Sequence, residues 1–313
     1  MENNKDIHPT LKTLITAITL FSGAGGGTLG LLYNYIKELL AIDNWPVSQK
    51  VFEHNFKDER YIPFWLADIL SLKADDILRK ILMMPKELGI MLLSPPCQGF
   101  SVAKGKIDPL DPRNLLFLHS IELISGVLPR CFIIENVPGM GDDRNIAIFN
   151  EIKLRIMEKL GPHYEVRCFK LLALNYNTPQ KRYRYIFIGY LKEFGVVPKP
   201  PAPQYENVSD LRIVDVTPEI IGVKVGQAKK TIKSNEQYMT TRTASGEVIT
   251  YEDGQETTLS VKQDLKFSTF PDWYEIPSDI KDKDAHKLCG NTIPPEFMKA
   301  IVAQILKQIG DKL

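Results

Sequence analysis

Thr13-Leu-Ile-Thr-Ala-Ile-Thr-Leu-Phe21 runs directly into Ser22-Gly-Ala-Gly-Gly-Gly-Thr-Leu-Gly30, and this junction decides the fold. A β-branched run stopped by glycines reads as a strand and a tight turn, and Leu29 to Leu40 carries helical spacing. Within the turn Gly25, Gly27 and Gly30 satisfy G-x-G-x-x-G, and Asp43 follows 18 residues after Gly25. Such glycines let backbone approach a nucleotide-like ligand, and an acid at the next strand end can hold a ribose hydroxyl. The pattern serves a nicotinamide dinucleotide as well as S-adenosylmethionine, and a glycine-rich turn without a ligand is the plain alternative.

Outward from this junction the first 190 residues alternate strand and helix. Gly89-Ile-Met-Leu-Leu-Ser94, Arg130-Cys-Phe-Ile-Ile-Glu135 and Tyr183-Arg-Tyr-Ile-Phe-Ile-Gly189 are short apolar runs, with helical stretches at Leu115 to Val127 and Ile146 to Leu160. The alternation predicts an α/β fold with a mostly parallel, doubly wound sheet, in which ligands bind beyond the carboxyl ends of the strands. Val196-Val-Pro-Lys-Pro-Pro-Ala-Pro203 is a connector that continues neither helix nor central strand. Between Val223 and Ser245 five basic residues face one acid; order resumes at Thr258 to Phe270, and Glu296 to Ile309 reads as a closing helix.

The 313 residues include 39 Lys and Arg against 38 Asp and Glu, a formal charge of +1. That balance excludes a histone-like arm, so any nucleic-acid surface must be local. No apolar run is long enough to span a bilayer, and the polar first ten residues lack a signal-peptide core. Four cysteines without CxxC spacing do not make a disulfide framework, so the composition leads us to expect a reduced, cytosolic chain.

Chemistry concentrates at the strand ends. Asp68, in Trp65-Leu-Ala-Asp-Ile69, could accept from an adenine amine with Ile69 against the ring, or simply cap the following turn. In Ser94-Pro-Pro-Cys-Gln-Gly-Phe-Ser101 two prolines fix the backbone ahead of Cys97, which suits a thiolate nucleophile. Cys131, Cys168 and Cys289 read instead as small buried hydrophobes. The stretch from Gly99 to Arg113 reads as a mobile basic loop. Glu135, one βα unit further on, would share a rim with Cys97 and could share a proton with a substrate, or cap the next helix. Gln180, Arg182 and Arg184 alternate along a strand and so share one face, as inward donors for an oxygen-rich substrate or as an exposed ladder.

Taken in order, Phe21-Ser-Gly-Ala-Gly-Gly26, Pro95-Pro-Cys-Gln98, Glu135-Asn-Val137, Gln180-x-Arg182-x-Arg184 and Gly290-Asn-Thr-Ile293 resemble the DNA cytosine-5 methyltransferase family. The resemblance spans nearly the whole chain and lacks motif support only from Tyr190 to Gln255. It implies a Rossmann-like, S-adenosylmethionine-dependent methyltransferase with a small target-recognition domain. The expected division is 1–190 for the catalytic and cofactor-binding domain, 191–277 for target recognition, and 278–313 for a segment returning to the catalytic domain.

The resemblance also implies roles. Cys97 would attack cytosine C6, Glu135 would engage N3 and the exocyclic amine, and Arg184 with Arg182 would hold the pyrimidine and Glu135. The base must be flipped out of its duplex to be reached. For the cofactor, S-adenosylmethionine leaving as S-adenosylhomocysteine, the expected contacts begin with Phe21, Ser22, Gly23, Ala24, Gly25 and Gly26. Asp43, Asn44 and Trp45 would hold the adenosine, Asp68 and Ile69 the adenine. Pro95, Leu116, Asn291 and Thr292 would complete the site. Double-stranded DNA would meet Gln98, Ser101, Lys104, Lys106, Arg113, Gln180, Lys229, Lys230, Lys233 and Arg242. No metal and no membrane are implied; a monomer associated with the nucleoid is expected.

Two departures from the family pattern stand out. Thr19 occupies a position where the family often has an acid, and the recognition region is short, at about Gln204 to Glu256. Three rivals are an RNA methyltransferase of the transfer-RNA branch, a catalytically silent DNA-binding relative and a nicotinamide dehydrogenase. The first lacks its Cys-Phe-Thr signature here. The second would have lost the nucleophile or the acid. The third leaves Pro-Pro-Cys-Gln and Glu-Asn-Val unexplained.

Overall fold

The computed structural model describes residues 14–96, 114–204 and 258–313, together with the backbone of short strands between 220 and 258. The junction quoted above forms β1 (Thr16–Leu20), a turn and α1 (Gly26–Leu32). The chain continues through β2 (Lys37–Asp43), α2 (Pro46–Asn55), β3 (Phe64–Leu66), α3 (Ala74–Ile81), β4 (Ile90–Leu93), α4 (Asn114–Val127), β5 (Cys131–Asn136) and α5 (Ile146–Arg155). A hairpin follows, β6 (Tyr164–Leu172) and β8 (Tyr183–Leu191), with the two-residue β7 (Gln180–Lys181) between them.

Seven strands form one sheet in the order β3-β2-β1-β4-β5-β8-β6. The first five run parallel, and β8 and β6 are antiparallel to their neighbours. The strand order reverses direction between β1 and β4, the position at which an open α/β sheet leaves a crevice. Period-two alternation builds both faces. Ile18, Leu20, Met91, Leu93, Phe132 and Ile134 join one apolar cluster, whereas Ala17, Ile90, Leu92, Cys131 and Ile133 join the other. Burial on both faces explains why these strands read as continuous apolar runs.

The helix expected out to Leu40 ends at Leu32, and Lys37 to Asp43 is a strand. Tyr35 takes a positive φ of 59°, which breaks the helix. Leu40, Ala41 and Ile42 are then buried on both faces of β2, where an unbroken apolar run mimics helical spacing. Cys168 is also corrected: it lies exposed on the edge strand β6, whereas Cys131 and Cys289 are buried.

A second sheet of four short strands, β10-β9-β12-β13, comprises β9 (Ile220–Lys224), β10 (Thr231–Lys233), β12 (Val248–Tyr251) and β13 (Glu256–Thr258). The remaining strand β11 (Met239–Thr240) pairs in parallel with β7. Then come α6 (Val261–Phe267), α7 (Asp282–Asn291) and α8 (Pro295–Ile309). The return to the large sheet begins earlier than the expected residue 278. Leu265, Phe270 and Tyr274 are buried in one cluster with Ala24, Phe52 and Phe56, and the Tyr274 hydroxyl donates to the Ala24 carbonyl. Residues from Leu265 therefore pack with the large sheet, because their apolar side chains fill the space beside α2.

α8 lies on α1, and the contact needs glycine. A Cβ at Gly26 would overlap the Ile293 carbonyl oxygen and Thr292 Oγ1, and one at Gly30 would meet Met298 Cβ at 2.5 Å. We predict that Gly26→Ala lowers stability by about 1–3 kcal/mol, the range for overpacking. Urea unfolding checks this, and an unchanged midpoint would show that the two segments do not rest on each other.

Candidate active site

The turn after β1 is bent into an unusual shape by three positive φ angles: Phe21 at 59°, Gly23 at 52° and Gly25 at 77°. Glycine accepts this conformation freely, whereas Phe21 stores strain of the kind found at ligand sites. The bend turns the Gly23 amide toward Asp43 at the end of β2, where it donates to Oδ2 at 2.9 Å. Trp45 N–H donates to Oδ1 at 2.9 Å, so each carboxylate oxygen is held by a backbone amide. Burial raises the Asp43 carboxyl above the usual range, and the amides of Trp45, Gly23 and Asn44 oppose that rise.

These groups line a cavity of about 450 Å³ at the crevice between β1 and β4. Phe21, Ser22, Gly23, Asp43, Asn44, Trp45, Pro95, Asn291 and Thr292 all line it. Ala24, Gly25 and Gly26 shape the turn and its packing without lining the cavity; Ala24 is buried against α2, and Gly26 lies against Ile293. Asp68 and Ile69 are elsewhere. The Asp68 carboxylate is exposed and accepts from Leu70 N–H at 3.0 Å as a cap, and Ile69 is buried in the core. Leu116 packs on the same core, away from the cavity.

At the other end stands the Glu-Asn-Val segment. Glu135 faces Arg184 across the β5–β8 pair, with Arg184 Nε 2.7 Å from Glu135 Oε1 and both side chains under a tenth exposed. Both line the cavity that Asp43 opens. Asn136 Nδ2 donates to the Pro95 carbonyl at 3.2 Å, tying the end of β5 to the Pro-Pro turn. Cys97 and Gln98, which follow that turn, lie outside the described residues, as do Ser101, Lys104, Lys106, Arg113, Lys229, Lys230 and Arg242. Lys233 is described only as backbone, in β10.

Gln180, Arg182 and Arg184 are all buried while Lys181 and Tyr183 are exposed, so the three do share a face. Their partners differ from those expected. Gln180 Nε2 donates to the Phe267 carbonyl at 2.7 Å, which makes it a buried strut between β7 and α6. Arg182 Nη2 donates to the Thr292 carbonyl at 2.8 Å, and both Nη atoms reach the Gly290 carbonyl at 3.2 Å. Arg182 thus fastens the end of α7, and Arg184 pairs with Glu135. A second fastening is the buried Asp264, whose Oδ2 lies 2.6 Å from His286 Nδ1.

Several lining residues escaped sequence reasoning. Thr28 and Ser48 offered no motif, and Lys287, whose Nζ sits 4.2 Å from the Trp45 ring centroid, comes from a helix 242 positions away. Only the tertiary return of α7 brings it there. Among the described residues no cluster of His, Cys, Asp or Glu could hold a metal, and no helix is long and apolar enough to cross a membrane.

A parallel sheet with a crevice at its direction change, a glycine turn on one strand and a held carboxylate on the next define a Rossmann-like fold of the S-adenosylmethionine-dependent methyltransferase type. The profile of the C-5 cytosine-specific DNA methylases matches residues 15–238 and 221–307, and the chain belongs to that family. The chain is 34% identical over 201 residues to the Type II methyltransferase M1.HphI of Haemophilus parahaemolyticus, a match covering 63% of this chain and 51% of that protein. It therefore spans about half the length of that relative. It is 24% identical to M.HpaII of Haemophilus parainfluenzae, covering 97% of this chain and 92% of the other. The fold is shared with the Schizosaccharomyces pombe Dnmt2 methyltransferase, at a TM-score of 0.68 and 18% identity over 94% of this chain and 98% of that one. It is likewise shared with the Entamoeba histolytica methyltransferase EhMeth, at a TM-score of 0.69 and 18% identity over 95% and 99%.

Proposed function

We propose that the chain methylates C5 of a flipped-out cytosine in a short DNA sequence, with Cys97 as nucleophile and with Glu135 and Arg184 engaging the base. The observation that carries this reading is the buried Arg184–Glu135 pair on the same cavity as the Asp43 cradle. The Type II relatives support DNA as the substrate and a place beside a restriction enzyme.

The residues of the cavity fit S-adenosylmethionine. The Asp43 carboxylate at the cavity wall suits a vicinal diol, the Trp45 indole and Phe21 ring suit adenine and thioether carbons, and the volume suits a molecule of that size. When bound, it supplies an electrophilic methyl group on a sulfonium. Cys97 would add as thiolate to cytosine C6 and make C5 nucleophilic. Once C5 carries the methyl group, loss of the C5 proton to base would expel the thiolate and free 5-methylcytosine. Glu135 would hold N3 and the exocyclic amine, limiting the negative charge that develops on the ring. Arg184 keeps Glu135 aimed, and the Asn136 amide holds the Pro95 carbonyl, two residues before Cys97 in the chain.

Asp43→Ala should weaken S-adenosylhomocysteine by about 1.5–3 kcal/mol, the loss typical of hydrogen bonds to a charged group. Calorimetry measures it, and an unchanged Kd would remove Asp43 from the site. The activity itself is tested by transfer of labelled methyl to unmethylated genomic DNA, with total transfer RNA in parallel. Label recovered as 5-methylcytosine in DNA supports the reading. Label only in RNA would assign the transfer-RNA branch, and label in neither would favour a silent binder.

A further inference from the structure

Glu38 is a carboxyl group that the mechanism above does not use. It lies inside the sheet on β2, 4% exposed, opposite Ala17, where the β1–β2 register slips by one residue between Ala17 and Ile18. A register irregularity of this kind re-aims a side chain, and here the charged one is turned inward. Thr19 Oγ1 donates to Glu38 Oε1. Oε2 and the neighbouring Thr28 Oγ1 are buried and make no well-aligned hydrogen bond among the described residues. Thr19 and Thr28 both line the cavity; Glu38 stands directly behind them.

A hydroxyl that donates backward to a carboxyl leaves its lone pairs pointing the other way, free to accept. Thr19 lies on β1, between the Asp43 cradle on β2 and the Glu135–Arg184 pair on β5 and β8. A ligand whose ribose rests on Asp43 and whose methyl must approach the base pocket passes over this strand. Resting on the S-adenosylmethionine reading, we infer that Glu38 is a positioning residue for the ammonium of the cofactor's amino-acid end, its charge relayed into the cavity by the hydroxyls of Thr19 and Thr28. The acid missing at position 19 is thereby supplied from the adjacent strand, one hydroxyl removed.

The surroundings add a signature. Burial pushes the Glu38 carboxyl up to about 8, with the two threonine hydroxyls pulling the other way. β1 and α1, which pack against it, carry no charged or titratable side chain; on α8, Glu296 and Lys299 pair with each other, and Lys37 on β2 is exposed. Glu38 is therefore mostly neutral at pH 7 in the free protein. An ammonium brought to Thr19 favours the carboxylate, so Oε2 gives its proton to the buffer, and Thr28 Oγ1 can then donate to the vacated oxygen. Binding of an ammonium-bearing ligand should tighten as pH rises toward 8.

The test is calorimetry of S-adenosylhomocysteine at pH 7 in buffers of different ionisation enthalpy, with methylthioadenosine, which lacks the amino-acid end, as the second ligand. We expect the wild-type protein to release most of a proton with S-adenosylhomocysteine, and Glu38→Gln to lose that release and to weaken this ligand about tenfold. Methylthioadenosine should bind both proteins alike. Thr19→Val, which removes the relay and keeps the carboxyl, should lose the same selectivity. Equal proton release by wild type and Glu38→Gln, or equal weakening of both ligands, overturns the inference and leaves the cofactor reading intact. Failure of the wild type to bind either ligand overturns both.

Discussion

Cys97→Ser is expected to reduce methyl transfer to DNA by at least about a thousandfold, because removal of a covalent nucleophile eliminates the chemical path and not merely a contact. Serine at neutral pH has almost no alkoxide, so addition to cytosine C6 stops. The Asp43 cradle, the glycine turn and the α7 wall are built from other residues, so S-adenosylhomocysteine should bind with unchanged affinity. A single-turnover assay with labelled cofactor, run beside calorimetry, separates the two. Substantial remaining transfer would show that another group is the nucleophile.

Arg184→Ala carries the second large effect, and it falls on stability as well as on rate. Glu135 would be left buried with its ion-pair partner gone, a loss of about 3–5 kcal/mol for a broken buried pair. Turnover should fall by about a hundredfold or more, since the acid is no longer aimed at the base. Urea unfolding of Arg184→Ala and of the double variant Arg184→Met with Glu135→Leu distinguishes the cause. Removing both charges should cost less stability than removing one, while activity stays lost. If the single and double variants were equally destabilised, packing and not charge would hold β5 to β8 here.

Much of this architecture was readable because local chemistry and position coincide. β1, β4, β5 and β8 are apolar runs ended by glycine, proline or a charged strand end, and each was found where it was expected. The Asp43 cradle was readable for the same reason, since the acid and the turn are linked by strand order. Long-range partners were not. That Arg182 would reach the Gly290 and Thr292 carbonyls, and Gln180 the Phe267 carbonyl, depends on the route of α6 and α7, which alternation along one strand does not encode. Asp68 is found capping the turn at Ile69; a capping aspartate and a ligand-binding one look alike in sequence until the following turn is seen. Glu38 was silent because a charged residue among apolar neighbours reads as the polar face of a helix, and here it is the buried side of a bulged strand.

The fastening of Gly290 to Ile293 over the first glycine turn has a consequence for biosynthesis. The N-terminal strands can pair as they leave the ribosome, yet one wall of the cavity is made of residues near position 290, held by Arg182 and seated on Gly26. A nascent chain stalled before that point has the glycine turn, the held aspartate and the Glu135–Arg184 strands, but an open-sided cavity. Synthesis itself therefore times the closing of the cavity, which is complete only when α7 and the segment to Ile293 have been translated and have folded back on the glycine turn.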